Sequence, residues 1–255
     1  MTPEAREAGG SWRSDLRTLR HLVFPGRAPA GASHGEKLDA FYRPQAEAYD
    51  AFRERLLQGR RELYAKLPAP AGGTWIEMGG GTGRNLENLG DRIGGLSQVH
   101  LVDITPALLE VARARVERLG WTNVTPTEAD ATTWTPPGGD CTADVVTFSY
   151  SLTMIPDWRA ALARAHALLK PGGVIGVVDF YVSEAVPAAG LRRHGAITRA
   201  FWPRWFARDG VNPNPDHLPT LRGMFDQTSL DERMASIPYL PGLRTPYYGF
   251  IGRKA

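Results

Sequence analysis

The chain has 255 residues, 42% of them hydrophobic, with a single cysteine, Cys141, and a formal net charge of only +3. That length supports one large domain, or one domain with a cap, and the apolar content supports a sizeable core. A lone cysteine excludes an internal disulfide framework and points to an intracellular setting, and no apolar run approaches the roughly 18 residues of a membrane span or forms a signal-peptide core. Residues 1–33 read as a basic amphipathic extension and linker. Leu16, Leu19, Leu22, Val23 and Phe24 recur at helical spacing with Arg13, Arg17 and Arg20 between them, and Pro, Gly and Ala take over from Pro25. Such a helix suits an anionic membrane surface, or a dock on the protein body with its arginines in water. Residues 34–70 read as a helical lid. Leu38, Phe41, Tyr42, Tyr49, Phe52, Leu56, Leu57, Leu63 and Tyr64 make an apolar face, interrupted at Pro44.

Trp75 to Met78 predicts a short buried strand after the loop at 69–73. Gly79, Gly80, Gly81, Thr82 and Gly83 then form a tight turn of the kind that lets backbone approach a ligand closely, and a helix is expected from Arg84. Strand, glycine loop and helix in that order make the nucleotide-binding corner of a doubly wound sheet. A dinucleotide site would read G-x-G-x-x-G; here Gly79, Gly81 and Gly83 give G-x-G-x-G, with acidic Glu77 two residues ahead. An NAD-dependent oxidoreductase shares the sheet, but this spacing argues against it. The pattern resembles motif I of class I S-adenosylmethionine (SAM) methyltransferases. The resemblance implies SAM as cofactor, S-adenosyl-L-homocysteine as its product and no metal. It brings Gly79, Gly80 and Gly81 close to the ligand and lets Glu77 face the cationic amino-acid end of SAM. A helical segment ahead of motif I often lies over the SAM pocket in this class, which makes Tyr42 and Tyr49 candidates for its wall.

The core is expected over residues 71–182. Val99–Asp103 reads as the second strand, ending in Asp103, about 20 residues past the glycine loop, where an acid can accept both ribose hydroxyls. Ile104 follows it. A helix is expected from Leu108 to Leu119 and a third strand from Asn123 to Glu128, leading to Asp130 and Ala131. In methyltransferases that loop commonly meets the adenine. Ala143–Phe148 is a near-continuous apolar run and reads as a buried central strand. It leads to Ser149 and Tyr150, at the carboxyl end where such folds place their chemistry. A helix from Trp158 to Leu169, the turn Lys170-Pro171-Gly172-Gly173 and a fifth strand from Val174 to Phe180 follow, with Asp179 near that strand's end. The fold class implied is α/β, a Rossmann-like methyltransferase sheet of six parallel strands plus one antiparallel strand.

Residues 183–226 are too long for an ordinary connection. Arg192, Arg193, Arg199, Arg204 and Arg208 are interleaved there with Phe201, Trp202, Trp205 and Phe206. A cap on an anionic, partly apolar substrate or bilayer interface accounts for that mixture. Nucleic-acid binding lacks a module to support it, and an aromatic core under a solvated basic face is the plain alternative. Residues 227–255 are expected to form a final hairpin that completes the sheet.

The flanks add a closer likeness. Phe41-Tyr42-Arg43-Pro44-Gln45 through Tyr49-Asp50, Phe201-Trp202-Pro203-Arg204-Trp205-Phe206, and the run from Pro238 to Tyr248 resemble betaine-lipid synthases of the BtaB type. That family trimethylates the amine of diacylglyceryl-homoserine to give the betaine lipid DGTS. The resemblance implies that lipid as substrate and a separate homoserine-transferring enzyme upstream, whereas the basic-aromatic stretch from Arg192 to Arg208, with Arg13, Arg17 and Arg20, points to an anionic membrane surface as partner, a cytoplasmic location peripheral on the inner face of the membrane, and no nucleic acid. Tyr150, Tyr49 and Tyr42 would line the methylammonium by cation–π attraction, and Asp179 or Tyr150 would take the amine proton through water. Competing readings are a methyltransferase for phosphatidylethanolamine or a quinone precursor, and a SAM-binding membrane-docking subunit without activity.

Overall fold

A computed structural model describes residues 33, 35–36, 38–39, 55–207, 210–237, 240 and 242–255. The arginines of the N-terminal helix, the lid tyrosines Tyr42 and Tyr49, and Arg208, Pro238, Tyr239 and Pro241 lie outside the described residues. The first complete helix, α1 (Arg60–Lys66), enters from Gly59 at φ 85. Strands β1 (Thr74–Met78), β2 (Gln98–Asp103), β3 (Val124–Glu128), β4 (Ala143–Ser149), β5 (Leu169–Phe180), β6 (Asp226–Ser236) and β7 (Arg244–Arg253) form one sheet in the order β3-β2-β1-β4-β5-β7-β6. β3, β2, β1, β4 and β5 pair in parallel. β7 is inserted antiparallel to both β5 and β6, so β6 runs with the others and six strands share one direction.

Local chemistry explains the elements. α2 (Pro106–Leu119) begins with Pro at its first position, where no N–H is needed, and ends at Gly120 in the left-handed region. α3 (Trp158–Leu168) is capped by Asp157, which accepts from the Ala160 N–H. β4 and β5 are rich in Val, Ile and Phe and buried on both faces, as parallel central strands must be. The helix expected from Arg84 forms differently: Arg84–Gly95 winds as 3₁₀ turns, broken at Gly90 (φ 55, ψ −139). Gly90 has no Cβ to resist that conformation, and the tight winding still buries Leu86, Leu89 and Ile93.

Side chains alternate across β1. Trp75 joins the core layer of Tyr64, Leu67 and Leu101, whereas Ile76 and Met78 join the opposite layer of Phe148, Leu162 and Tyr248. The stretch after β5 supplies α4 (Ala196–Phe206) and α5 (His217–Met224). α4 buries Trp202 and Phe206 on the Tyr64 side, and α5 buries Leu218 and Leu221 on the other. Among the described residues no helix is long and apolar enough to cross a membrane.

Candidate active site

A cavity of about 250 Å³ opens at the carboxyl ends of β1, β2, β3 and β4. The glycine loop forms one wall. Gly79 and Gly80 donate to the Val102 carbonyl at 2.8 and 3.0 Å, which pins the loop to β2. Gly79 sits at φ 66, and a Cβ there would lie 2.4 Å from the Ser151 Cβ, so only glycine fits. Ser151 closes the contact by donating to the Met78 carbonyl at 2.7 Å.

Asp103 is nearly buried and braces the same loop. Its Oδ2 accepts from the Gly81 N–H and its Oδ1 from the Thr105 N–H, each at 2.8 Å. These bonds orient a carboxylate that lines the cavity, where charge-assisted bonds to ligand hydroxyls are the strong kind. Asp130 is exposed on the facing loop, with Oδ1 accepting from the Thr132 N–H and hydroxyl. Ile104, Leu108, Met154, Ile155 and Pro156 supply apolar wall.

Seven of the residues singled out by sequence line this cavity together: Gly79, Gly81, Asp103, Ile104, Asp130, Ala131 and Tyr150. Glu77, Gly80, Ser149 and Asp179 do not. Gly80 turns its Cβ direction onto Leu101, where a carbon would stand 2.7 Å from the Leu101 Cγ; it is required for packing. Ser149 is buried within the sheet.

Glu77 is fully buried, on the face of β1 that Trp75 also occupies. Its Oε1 accepts from the Tyr64 hydroxyl and from the Asn85 amide, both at 2.8 Å. Arg60 donates to the Asn85 Oδ1 at 3.0 Å. The carboxylate thereby ties α1 and the 3₁₀ turns to the strand that launches the glycine loop. Burial, with the Glu77 charge second, holds the Tyr64 phenol well above its usual pKa, so it remains a donor. By its spacing Tyr64 belongs to an apolar face and Asn85 carries no signal; only the fold brings them to Glu77.

Asp179 is also fully buried. It accepts from the Thr153 N–H and hydroxyl at 3.0 and 2.7 Å and from the Phe180 N–H at 2.8 Å. It therefore holds the turn at 152–154 behind the cavity wall, in place of the role expected from sequence, in which it takes the amine proton through water. Burial lifts its pKa from 3.8 to about 6, with the Thr153 and Phe180 bonds opposing the rise. The native pKa exceeds the unfolded one, so the native state binds more protons between those values and stability falls as pH rises through about 4 to 6. The Asp179 contribution amounts to ~3 kcal/mol across that window. In denaturant titrations against pH, Asp179→Asn should flatten this slope; an unchanged slope would refute the assignment.

Tyr150 stands on the wall with φ 54, a strained value for a residue with a side chain. Its N–H donates to the Val178 carbonyl at 2.8 Å, its hydroxyl donates to the Gln58 carbonyl at 2.6 Å, and its ring meets Phe180 edge-on at 4.8 Å. Burial pushes its phenol well above the usual value. Residues not singled out as site residues from sequence are Leu38, Thr105, Leu108, Ala129, Thr132, Ser151 and the run from Met154 to Asp157. The last group follows the end of β4, and its placement there was the available signal.

The described lining includes Asp103, Asp130 and Asp157 and no Lys, Arg or His. A dinucleotide pyrophosphate would meet carboxylates there, whereas a sulfonium cation with ribose hydroxyls and an adenine matches the acids, the glycine loop and the apolar wall. A sheet of this order, with the cavity at its switch point, is the architecture that the resemblance to class I SAM-dependent methyltransferases implies.

Residues 49–236 match the family described as a methyltransferase domain. The chain belongs to that family; SAM is its cofactor and its class of activity is SAM-dependent methyl transfer. Curated relatives include a trans-aconitate 2-methyltransferase of Methylobacterium radiotolerans, 34% identical over 129 residues, 51% of this chain and 46% of that protein. The chain thus spans about half the length of that relative. The ubiquinone/menaquinone biosynthesis C-methyltransferase UbiE of Pseudomonas fluorescens is 29% identical over 74% of each chain. Among solved structures, the phosphoethanolamine N-methyltransferase 2 of Haemonchus contortus with SAM aligns with a TM-score of 0.68 at 18% identity, over 89% of this chain and 61% of that one. The cyclase SpnF aligns at 0.55 and 16% identity over 96% and 95%, so this fold alone does not define a reaction.

Proposed function

We propose that this enzyme methylates the primary amine of diacylglyceryl-homoserine, in three rounds, to a betaine lipid. The observation that carries the reading is the cavity lining: it includes the aromatic residue Tyr150 and, among the described residues, no basic side chain. Such a wall favours an acceptor that gains positive charge and disfavours a polycarboxylate. The likeness of the flanks to betaine-lipid synthases supports the same acceptor.

When bound, SAM supplies a methyl group already activated on a sulfonium sulfur. The protein's part is alignment and exclusion of water. Asp103 and the glycine loop orient the donor, and the Tyr150 ring holds the acceptor nitrogen as charge develops, at ~0.5–2 kcal/mol. The amine must arrive as a neutral lone pair. Tyr150 is bound to Gln58 and Asp179 to Thr153 and Phe180, so neither is free to take its proton by direct contact. Release of that proton to solvent is consistent with this wall.

A second reading, methylation of a quinone-precursor carbon, draws support from the UbiE of Pseudomonas fluorescens, which aligns over 74% of the chain. Incubation with isotope-labelled SAM and each acceptor, followed by mass analysis, separates the two. Mono-, di- and trimethylated homoserine lipid is the expected result. Labelled quinone precursor without any methylated homoserine lipid would overturn the proposal.

A further inference from the structure

We propose that the outer face of α4, with the loop ahead of it, docks on an anionic lipid bilayer. Residues 192–207 contain Arg192, Arg193, Arg199 and Arg204 and no Asp or Glu. Ile197 is 85% exposed and Phe201 37% exposed. One helical turn separates them, and Arg204 continues the same face at the next turn. Exposed Arg193 lies just ahead of the helix. Two large apolar side chains among cations match a bilayer boundary, where the former enter the acyl edge and the latter meet lipid phosphates.

The opposite face of α4 fixes this surface to the site. Trp202 and Phe206 stack at 5.3 Å, Phe206 stacks on Phe180 at 4.5 Å, and Phe180 meets Tyr150 of the cavity wall at 4.8 Å. Beyond α4 the chain returns to the turn behind the cavity wall, where the Asn212 N–H donates to the Thr153 carbonyl at 2.8 Å. A bilayer held on α4 therefore lies over a continuous aromatic path to the cavity wall. A second copy of the chain fits this face less well, because a two-fold pairing sets the same arginines against each other. Nucleic acid uses the arginines but gains nothing from an exposed isoleucine.

Binding to vesicles of phosphatidylcholine alone, and of equal parts phosphatidylcholine and phosphatidylglycerol, tests the surface with the full-length chain. The expected result is sedimentation with the anionic vesicles only, weakening with added salt as charges are screened beyond ~8–10 Å. Arg192 is left in place because its charge acts on the half-buried Glu232 carboxylate, which its backbone N–H also meets. Ile197→Glu, and separately the pair Arg193→Glu with Arg204→Glu, should each lower the partition about tenfold or more. SAM affinity measured by calorimetry should stay at the wild-type value in both variants. Equal binding to both vesicle types, or variants that bind like wild type, overturns the proposal. So does binding to a mixed-sequence DNA duplex in place of vesicles that the arginine pair abolishes and Ile197→Glu retains, or a dimer that Ile197→Glu dissolves. No methyl acceptor is present in these assays, so their failure leaves the acceptor reading untouched, and the converse also holds.

Discussion

Asp103→Ala should weaken SAM binding by ~10²–10⁴-fold. The two carboxylate oxygens are aimed by the Gly81 and Thr105 N–H groups, so the charge is positioned before the ligand arrives. Hydrogen bonds to a charged group contribute ~1.5–3 kcal/mol each, and ribose offers two hydroxyls. The alanine variant also releases Gly81, which sits at φ 55 in the loop that the cofactor must meet. Both effects act on affinity in the same direction. Calorimetry with SAM reads the sum directly, and an affinity equal to wild type would remove the ribose assignment.

At Tyr150 the expected loss in kcat/KM is ~1–3 orders of magnitude for the alanine variant and less than about tenfold for the phenylalanine variant. The reason lies in how the hydroxyl is used. It donates to the Gln58 carbonyl at 2.6 Å, and burial, with the Asp179 charge second, keeps it protonated. Tyr150→Phe loses that one bond, worth ~1 kcal/mol of stability, and keeps the ring. Tyr150→Ala removes the ring from the cavity and from its contact with Phe180, and a cavity of that kind costs ~3–5 kcal/mol. Rates are therefore measured well below the unfolding temperature, with SAM affinity as the control for an intact site. Equal damage from both substitutions would mean that the hydroxyl, rather than the ring, does the chemistry.

Much of the fold was legible because it is written in local periods. The apolar runs of β1, β4 and β5 allow only buried strands, and the Gly79–Gly83 spacing allows a close turn but no pyrophosphate cradle. Asp103 and Asp130 were legible for the same reason, since each closes a short strand run and strand ends converge on one rim. The winding of Arg84–Gly95 was less so: nothing in its apolar spacing distinguishes 3₁₀ from α, and the break at Gly90 is a backbone feature that spacing does not show.

By itself, then, the sequence determined the order of strands, the glycine turn and the acids that follow it, because each depends on spacing along the chain. Tertiary structure alone decided which of those groups face the cavity. Period-two alternation sends Glu77 to the side of Trp75, where Tyr64 and Asn85, distant in sequence, meet its carboxylate. Asp179 is likewise turned inward to Thr153 by the pairing of β5 with β4 and β7. A buried carboxylate must be hydrogen-bonded, and the partners that satisfy it come from elements that only folding brings within 3 Å.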